Sequence, residues 1–208
     1  MNNDTNGLVI PRCATIFPMP RGRTRDDDAR TRVLQAAFDL AGDGDARGVT
    51  INQIAERAEV GKQTIYRWWP SKTAVILDAL VESTMAATPF PDTGDTRDDF
   101  AAHLRAVIEL FESPSGDVIR TLLGDAQTDP ALAEEFRQRF WQPRRDLSFR
   151  RLERGITLGR VRSDLEIEVV LDTIYGPLWL RLLIGHLPMT GSDADEIMAA
   201  VWPGIAAG

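Results

Sequence analysis

Residues 50–72 read TINQIAERAEVGKQTIYRWWPSK, and this stretch decides the fold. Thr50 is placed to cap a helix in which Ile51, Ile54, Ala55 and Ala58 share one face. The tripeptide Glu59-Val60-Gly61 then makes a tight turn into a second short helix over 62–69. Ile65 and Trp69 stand four residues apart and so point the same way, toward a core. Small Ala55 lets the two helices approach, Gly61 is expected to relieve the turn, and Ile54, Val60 and Ile65 lock the pair. Two short helices joined in this way form a helix-turn-helix, whose second helix enters the major groove of DNA. Off the apolar face lie Lys62, Gln63, Thr64, Tyr66, Arg67 and Trp68, groups able to meet base edges or phosphates. Trp68 fits two roles: a second core aromatic, or a ring along the DNA backbone whose indole N–H donates to a phosphate.

Working outward, Asp26–Ala41 reads as a preceding helix, with Asp26, Asp27 and Asp28 at the positive end of its dipole. Val33, Ala36, Ala37 and Leu40 form its apolar face. Ser71 follows Pro70 and caps a further helix, KTAVILDALVESTM. The Pro/Gly-rich TPFPDTGD that comes next is the best domain boundary in the chain. Five more helices are predicted near 95–112, 116–127, 130–155, 165–186 and 192–203, for about nine in all. The fold class is all-α. Its expected parts are a flexible basic arm (1–24), a three-helix DNA-binding domain (25–88) and a larger helical domain (89–208).

The 208 residues carry a net charge of −7, unevenly spread. From Arg21 to Lys72 there are ten Lys+Arg against eight Asp+Glu; from Thr73 onward, thirteen against twenty-two. A basic front and an acidic back suit one part that faces a polyanion and another that faces solvent or partners. The only cysteine is Cys13, and the only histidines are His103 and His186. No intrachain disulfide is possible, and neither a metal site nor a cofactor is expected. No apolar run is long enough for a membrane span and no signal peptide is evident, so the expected location is cytoplasmic, with no membrane partner.

The segment GVTINQIAERAEVGKQTIYRWWPSKTAVILDAL resembles the DNA-binding region of the TetR family of bacterial transcriptional regulators, over about Asp28 to Leu80. The resemblance implies phosphate contacts from Thr50, Tyr66 and Lys72, with Trp68 as a further candidate. It implies base reading by Lys62, Gln63, Thr64 and Arg67, helped by Asn52. Trp68, Trp69 and Pro70 depart from the residues usual in the family while keeping an aromatic core. The basic run PRGRTR is either a minor-groove arm or a source of weak nonspecific attraction.

Later segments, DPALAEEFRQRFWQPRRDLSFRRLERGITLGRVRSDL and LDTIYGPLWLRLLIGHLP, resemble a C-terminal domain type of TetR-like regulators. That implies a ligand-responsive domain, homodimerisation through the last two helices, and a double-stranded DNA operator that is palindromic. Val170, Ile174, Leu178 and Leu182 form one stripe of the penultimate helix, and Leu171, Tyr175, Trp179 and Leu183 a neighbouring one. An apolar arc this wide calls for burial on two sides. Phe100, His103, Phe111, Phe136, Phe140, Tyr175 and Trp179 are candidates to line a site for a largely apolar small molecule, though each also fits a plain core position. The arginines of QPRRDLSFRRLERG, interleaved with Asp146 and Glu153, are expected on a solvated, ion-paired helix face. A ligand-released repressor is the leading expectation. A protein-interaction module without DNA binding and a helical enzyme are its rivals, but no catalytic residues can be named: there is no phosphate loop, and no nucleophile-plus-base pair.

Overall fold

A computed structural model describes residues 25–43, 46–85 and 87–208; the expected basic arm (1–24), Cys13 included, lies outside the described residues. The helices are α1 (Arg25–Gly42), α2 (Ile51–Arg57), α3 (Lys62–Trp68), α4 (Lys72–Thr84), α5 (Thr96–Glu112), α6 (Pro114–Ala126), α7 (Pro130–Phe136), α8 (Gln142–Thr157), α9 (Ile167–Ile184) and α10 (Gly191–Ile205). A π-helical turn, Arg137–Trp141, joins α7 to α8 without a break. The three pieces are therefore one helical stretch, as predicted for 130–155. Among the described residues the only strand-like pairing is a β-bridge between Val161 and Ala206, which ties the end of the chain to the α8–α9 loop.

Local chemistry sets the boundaries. Thr50 and Gln53 form a capping box at α2, and Ser71 Oγ accepts the Ala74 N–H at α4. Asp95 and Asp129 cap α5 and α7 in the same way. α6 begins at Pro114, two residues before the predicted start, because Ser113 caps it and Pro114 needs no N–H at the first position. Two residues on, a Cβ at Gly116 would lie 1.8 Å from the Phe111 carbonyl oxygen, so only glycine permits this sharp α5–α6 corner.

The π-turn also has an identifiable cause. Pro143 has no N–H for the Arg139 carbonyl four residues back, and its ring crowds that carbonyl. The turn ahead of it widens, and the Gln142 N–H reaches five residues back to Arg137 O.

α1, α2 and α3 stack around Val33, Leu34, Ile54 and Ile65, all fully buried. α4 contacts α1, α6, α7 and the π-turn, so Ala74 through Leu80 are buried all round. It is the helix that both halves of the chain share. α5, α8, α9 and α10 pack together behind it, and α9 runs through Pro177 uninterrupted.

Candidate nucleic-acid interface and internal cavity

The turn between α2 and α3 differs from expectation in one respect. Its left-handed residue is Glu59 (φ 53°), while Gly61 is extended (φ −73°) and serves as the N-cap of α3. A Cβ at Gly61 would meet nothing nearer than Thr64 Oγ1 at 4.0 Å. The turn is closed by Val60 N–H donating to Ala55 O (3.0 Å), not by the freedom of Gly61.

α3 is anchored from beneath. Ile65 is fully buried, and Trp69 is buried with its indole N–H donating to Asp78 Oδ2 of α4 (2.8 Å). Arg30 of α1 reaches the same carboxylate at 3.4 Å, and Arg139 of the π-turn pairs with its other oxygen. One buried acid thus fixes the end of α3 against α1, α4 and the π-turn. A lone Asp within AVILDALV was its sequence signal.

With that face locked, Lys62, Gln63, Tyr66 and Arg67 point outward, as do Asn52 and Thr50 of the α2 side; Thr64 is half-buried. Tyr66 is 56% exposed, which leaves its hydroxyl open to a partner. Arg67 pairs with Asp26 (3.1 Å), an exposed contact that gives way easily to a stronger acceptor. Trp68 is half-buried, edge-on to Trp69 at 5.5 Å, with the Arg67 guanidinium 4.9 Å from its ring centre. Lys72 Nζ donates to the Arg47 carbonyl (2.6 Å) near the start of α4. The Thr50 hydroxyl donates to Gln53 Oε1 (2.8 Å), so a phosphate at Thr50 would have to draw that hydrogen out of the cap.

Behind α4, between α5, the π-turn, α8 and α9, lies a cavity in which about 60 Å³ can be reached by the centre of a water molecule. His103, Phe111, Phe140, Tyr175 and Trp179 are on its wall, as the sequence suggested. Phe100 and Phe136 are not. Phe100 sits a layer further in, edge-on to Phe90, and Phe136 stacks behind Phe140.

The wall also includes Trp141 and Ser148, which the sequence reading did not single out, and Arg144 and Arg145, which it assigned elsewhere. The expectation of a solvated arginine face is thus wrong for Arg144 and Arg145. Phe140, Arg144 and Ser148 are spaced by four, as are Trp141 and Arg145, so the helix carries both arginines onto its aromatic face. That spacing was the available signal.

Arg145 is 8% exposed and paired, with Nε on Glu168 Oε2 (2.8 Å) and Nη2 on Asp172 Oδ1 (2.6 Å). Arg144 donates to Phe140 O (2.8 Å) and Thr84 Oγ1 (2.6 Å), and its Nε is buried without a partner. Burial pushes the Arg144 pKa down to about 10, and the group stays charged at neutral pH.

His103 donates through Nδ1 to Pro89 O (3.1 Å), which leaves Nε2 as an acceptor. Burial first, and the Arg144 charge as well, lower its pKa to about 4 against the raising effect of the Pro89 bond, so the ring is neutral. The Tyr175 hydroxyl meets Ser148 Oγ at 3.0 Å, and burial raises its pKa.

Comparison with known proteins agrees with this architecture. The family model described as "Bacterial regulatory proteins, tetR family" matches residues 33–79, and "Tetracyclin repressor-like, C-terminal domain" matches residues 90–201. The chain belongs to the TetR family. This TetR-family helix-turn-helix regulator is 41% identical over 187 residues to the uncharacterized HTH-type transcriptional regulator YdeS of Bacillus subtilis (strain 168), covering 90% of this chain and 94% of YdeS. Its structure is similar to that of the TetR family transcription regulator SCO0332, with a TM-score of 0.75 and 34% identity over 85% of this chain and 98% of that one. The HTH-type transcriptional repressor KstR of Mycobacterium tuberculosis (strain ATCC 25618 / H37Rv) is 30% identical over 77 residues, 37% of this chain and 35% of KstR. No helix among the described residues is long and apolar enough to cross a membrane.

Proposed function

We propose that this regulator is a repressor that binds a palindromic operator as a homodimer and leaves it when a small molecule fills the cavity behind α4. The observation that carries the reading is the two-sided α3. Ile65 and the following Trp69 fix it in the core, while Lys62, Gln63, Tyr66 and Arg67 are exposed on the outside. In this reading Gln63 and Arg67, with Lys62, Thr64 and Asn52, read base edges. Tyr66, Lys72, Thr50 and the Trp68 indole hold phosphates.

A dimer supplies the second head that a groove-reading helix needs about 34–36 Å away. The surface for it is on α9. Val169, Thr173, Gly176, Leu180 and Leu183 recur at alternating spacings of four and three, and Val169, Leu180 and Leu183 are about half exposed or more. Such an apolar stripe suits a helix-to-helix seam with a second copy. Repression follows KstR, which is named a repressor.

Release would run through α4. Arg139 and Arg144 flank the aromatic wall and hold α4 at Asp78 and Thr84, and Asp78 in turn holds Trp69. A ligand that moves the π-turn thereby moves the α3 anchor, which shifts the population of operator-competent dimers.

Selection from a random duplex library tests this. Sequencing of the bound pool is expected to show an inverted repeat, occupied by two protomers. A pool that stays random after several rounds would sink the proposal.

A further inference from the structure

We propose that the cavity takes a small aromatic carboxylate, with its carboxylate seated on Arg144. This rests on the reading of the C-terminal half as a ligand-responsive domain and names the chemistry of what it responds to.

The first observation is an unbalanced charge. No carboxylate pairs with Arg144 among the described residues, and only two of its five N–H groups donate to protein atoms, both neutral: Phe140 O and Thr84 Oγ1. Desolvating a cation without a counter-charge is costly, and proteins generally avoid it. The contrast with Arg145, one residue on, is direct. Arg145 is held by Glu168 and Asp172, so its charge is already answered. Apart from the Phe140 ring face, whose centre is 3.9 Å from its guanidinium carbon, nothing among the described residues answers the Arg144 charge; it is the cation on the cavity wall left for an incoming anion, and its planar fork suits a carboxylate.

The second observation is the shape and polarity of the remaining wall. Phe111, Phe140, Trp141 and Trp179 present ring faces and edges, with Phe111 and Trp141 each against Trp179 at 4.8 and 5.2 Å. Such a ring-lined wall suits a flat apolar body laid against it. The space is small, about 60 Å³ for the centre of a water molecule, which favours a compact ring over a long chain. The His103 Nε2 acceptor offers a place for a hydroxyl or N–H on the same ring system.

Full-length protein titrated with phenylacetate, 2-naphthoate and indole-3-acetate, each beside its primary amide, tests the assignment through tryptophan fluorescence and thermal shift. At least one acid is expected to bind roughly ten- to hundredfold tighter than its amide, the range for a hydrogen bond to a charged group. Arg144→Gln should remove that preference, with acid binding falling to the level of its amide. If Arg144→Gln does not fold, the acid-against-amide comparison in the unaltered protein decides alone. Amides that bind as tightly as acids, or no binding by any acid, would overturn the proposal. Operator binding measured on the same preparation shows whether the regulator reading survives that result.

Discussion

His103 shows how one buried residue links composition to stability. Its ring is 5% exposed, lies flat on Phe90 at 4.2 Å, and faces Arg144 of α8 and Tyr175 of α9. Its folded pKa, about 4, lies below the ordinary 6.5. The unfolded chain therefore takes up a proton near pH 6.5, and the folded one does not until about pH 4. Stability from the neutral ring is complete above pH 6.5 and is lost as the pH falls through that window. Between pH 7 and pH 5 the unaltered protein should lose about 2 kcal/mol more than His103→Gln, read from urea unfolding. Equal losses would mean that the ring is not held neutral. Residue identity in the core was legible from spacing, as Ile65 and Trp69 show. The backbone conformation of Glu59 was not, because no residue preference marks a left-handed glutamate.

Among elements, α4 is tied to its neighbours by a buried carboxylate. Asp78 accepts from Trp69 and pairs with Arg30 and Arg139, and so joins three other segments. Asp78→Ala should cost about 2–3 kcal/mol in urea unfolding, since it strands the buried Trp69 N–H and removes a charged acceptor. Asp78→Asn should cost less, because an amide oxygen still accepts the indole hydrogen. If both are neutral, the carboxylate is not an anchor. The helices themselves could be read from the sequence because caps are local: Thr50 and Ser71 each act within a turn of the chain. The π-turn and the inward Arg144 were missed because the run around them is dominated by charge. Only the spacing from Phe140 to Ser148 shows which arginines are turned in.

At the scale of the whole molecule, two surfaces must work together: the outward face of α3 and the apolar stripe of α9. Leu180, 54% exposed, lies on that stripe. Leu180→Glu should give a monomer in sedimentation at micromolar concentration and weaken operator binding by at least about a hundredfold, since one head then binds alone. An unchanged dimer would place the interface elsewhere. The proposed division into a DNA-reading half and a sensing half rests on the Pro/Gly break and the charge imbalance. The contacts that couple the halves were not, because Arg139 with Asp78 and Arg144 with Thr84 are each about sixty residues apart in sequence.

The most direct measurement is a titration of the selected operator, and of single-base variants of it, with the unaltered protein, Tyr66→Ala and Gln63→Ala. Tyr66→Ala should weaken binding to every sequence alike. Gln63→Ala should instead flatten the preference at one base position in each half-site, by about 1–3 kcal/mol. If both variants bind and discriminate like the unaltered protein, α3 does not read DNA, and the account of this chain as an operator-binding regulator through that helix is wrong.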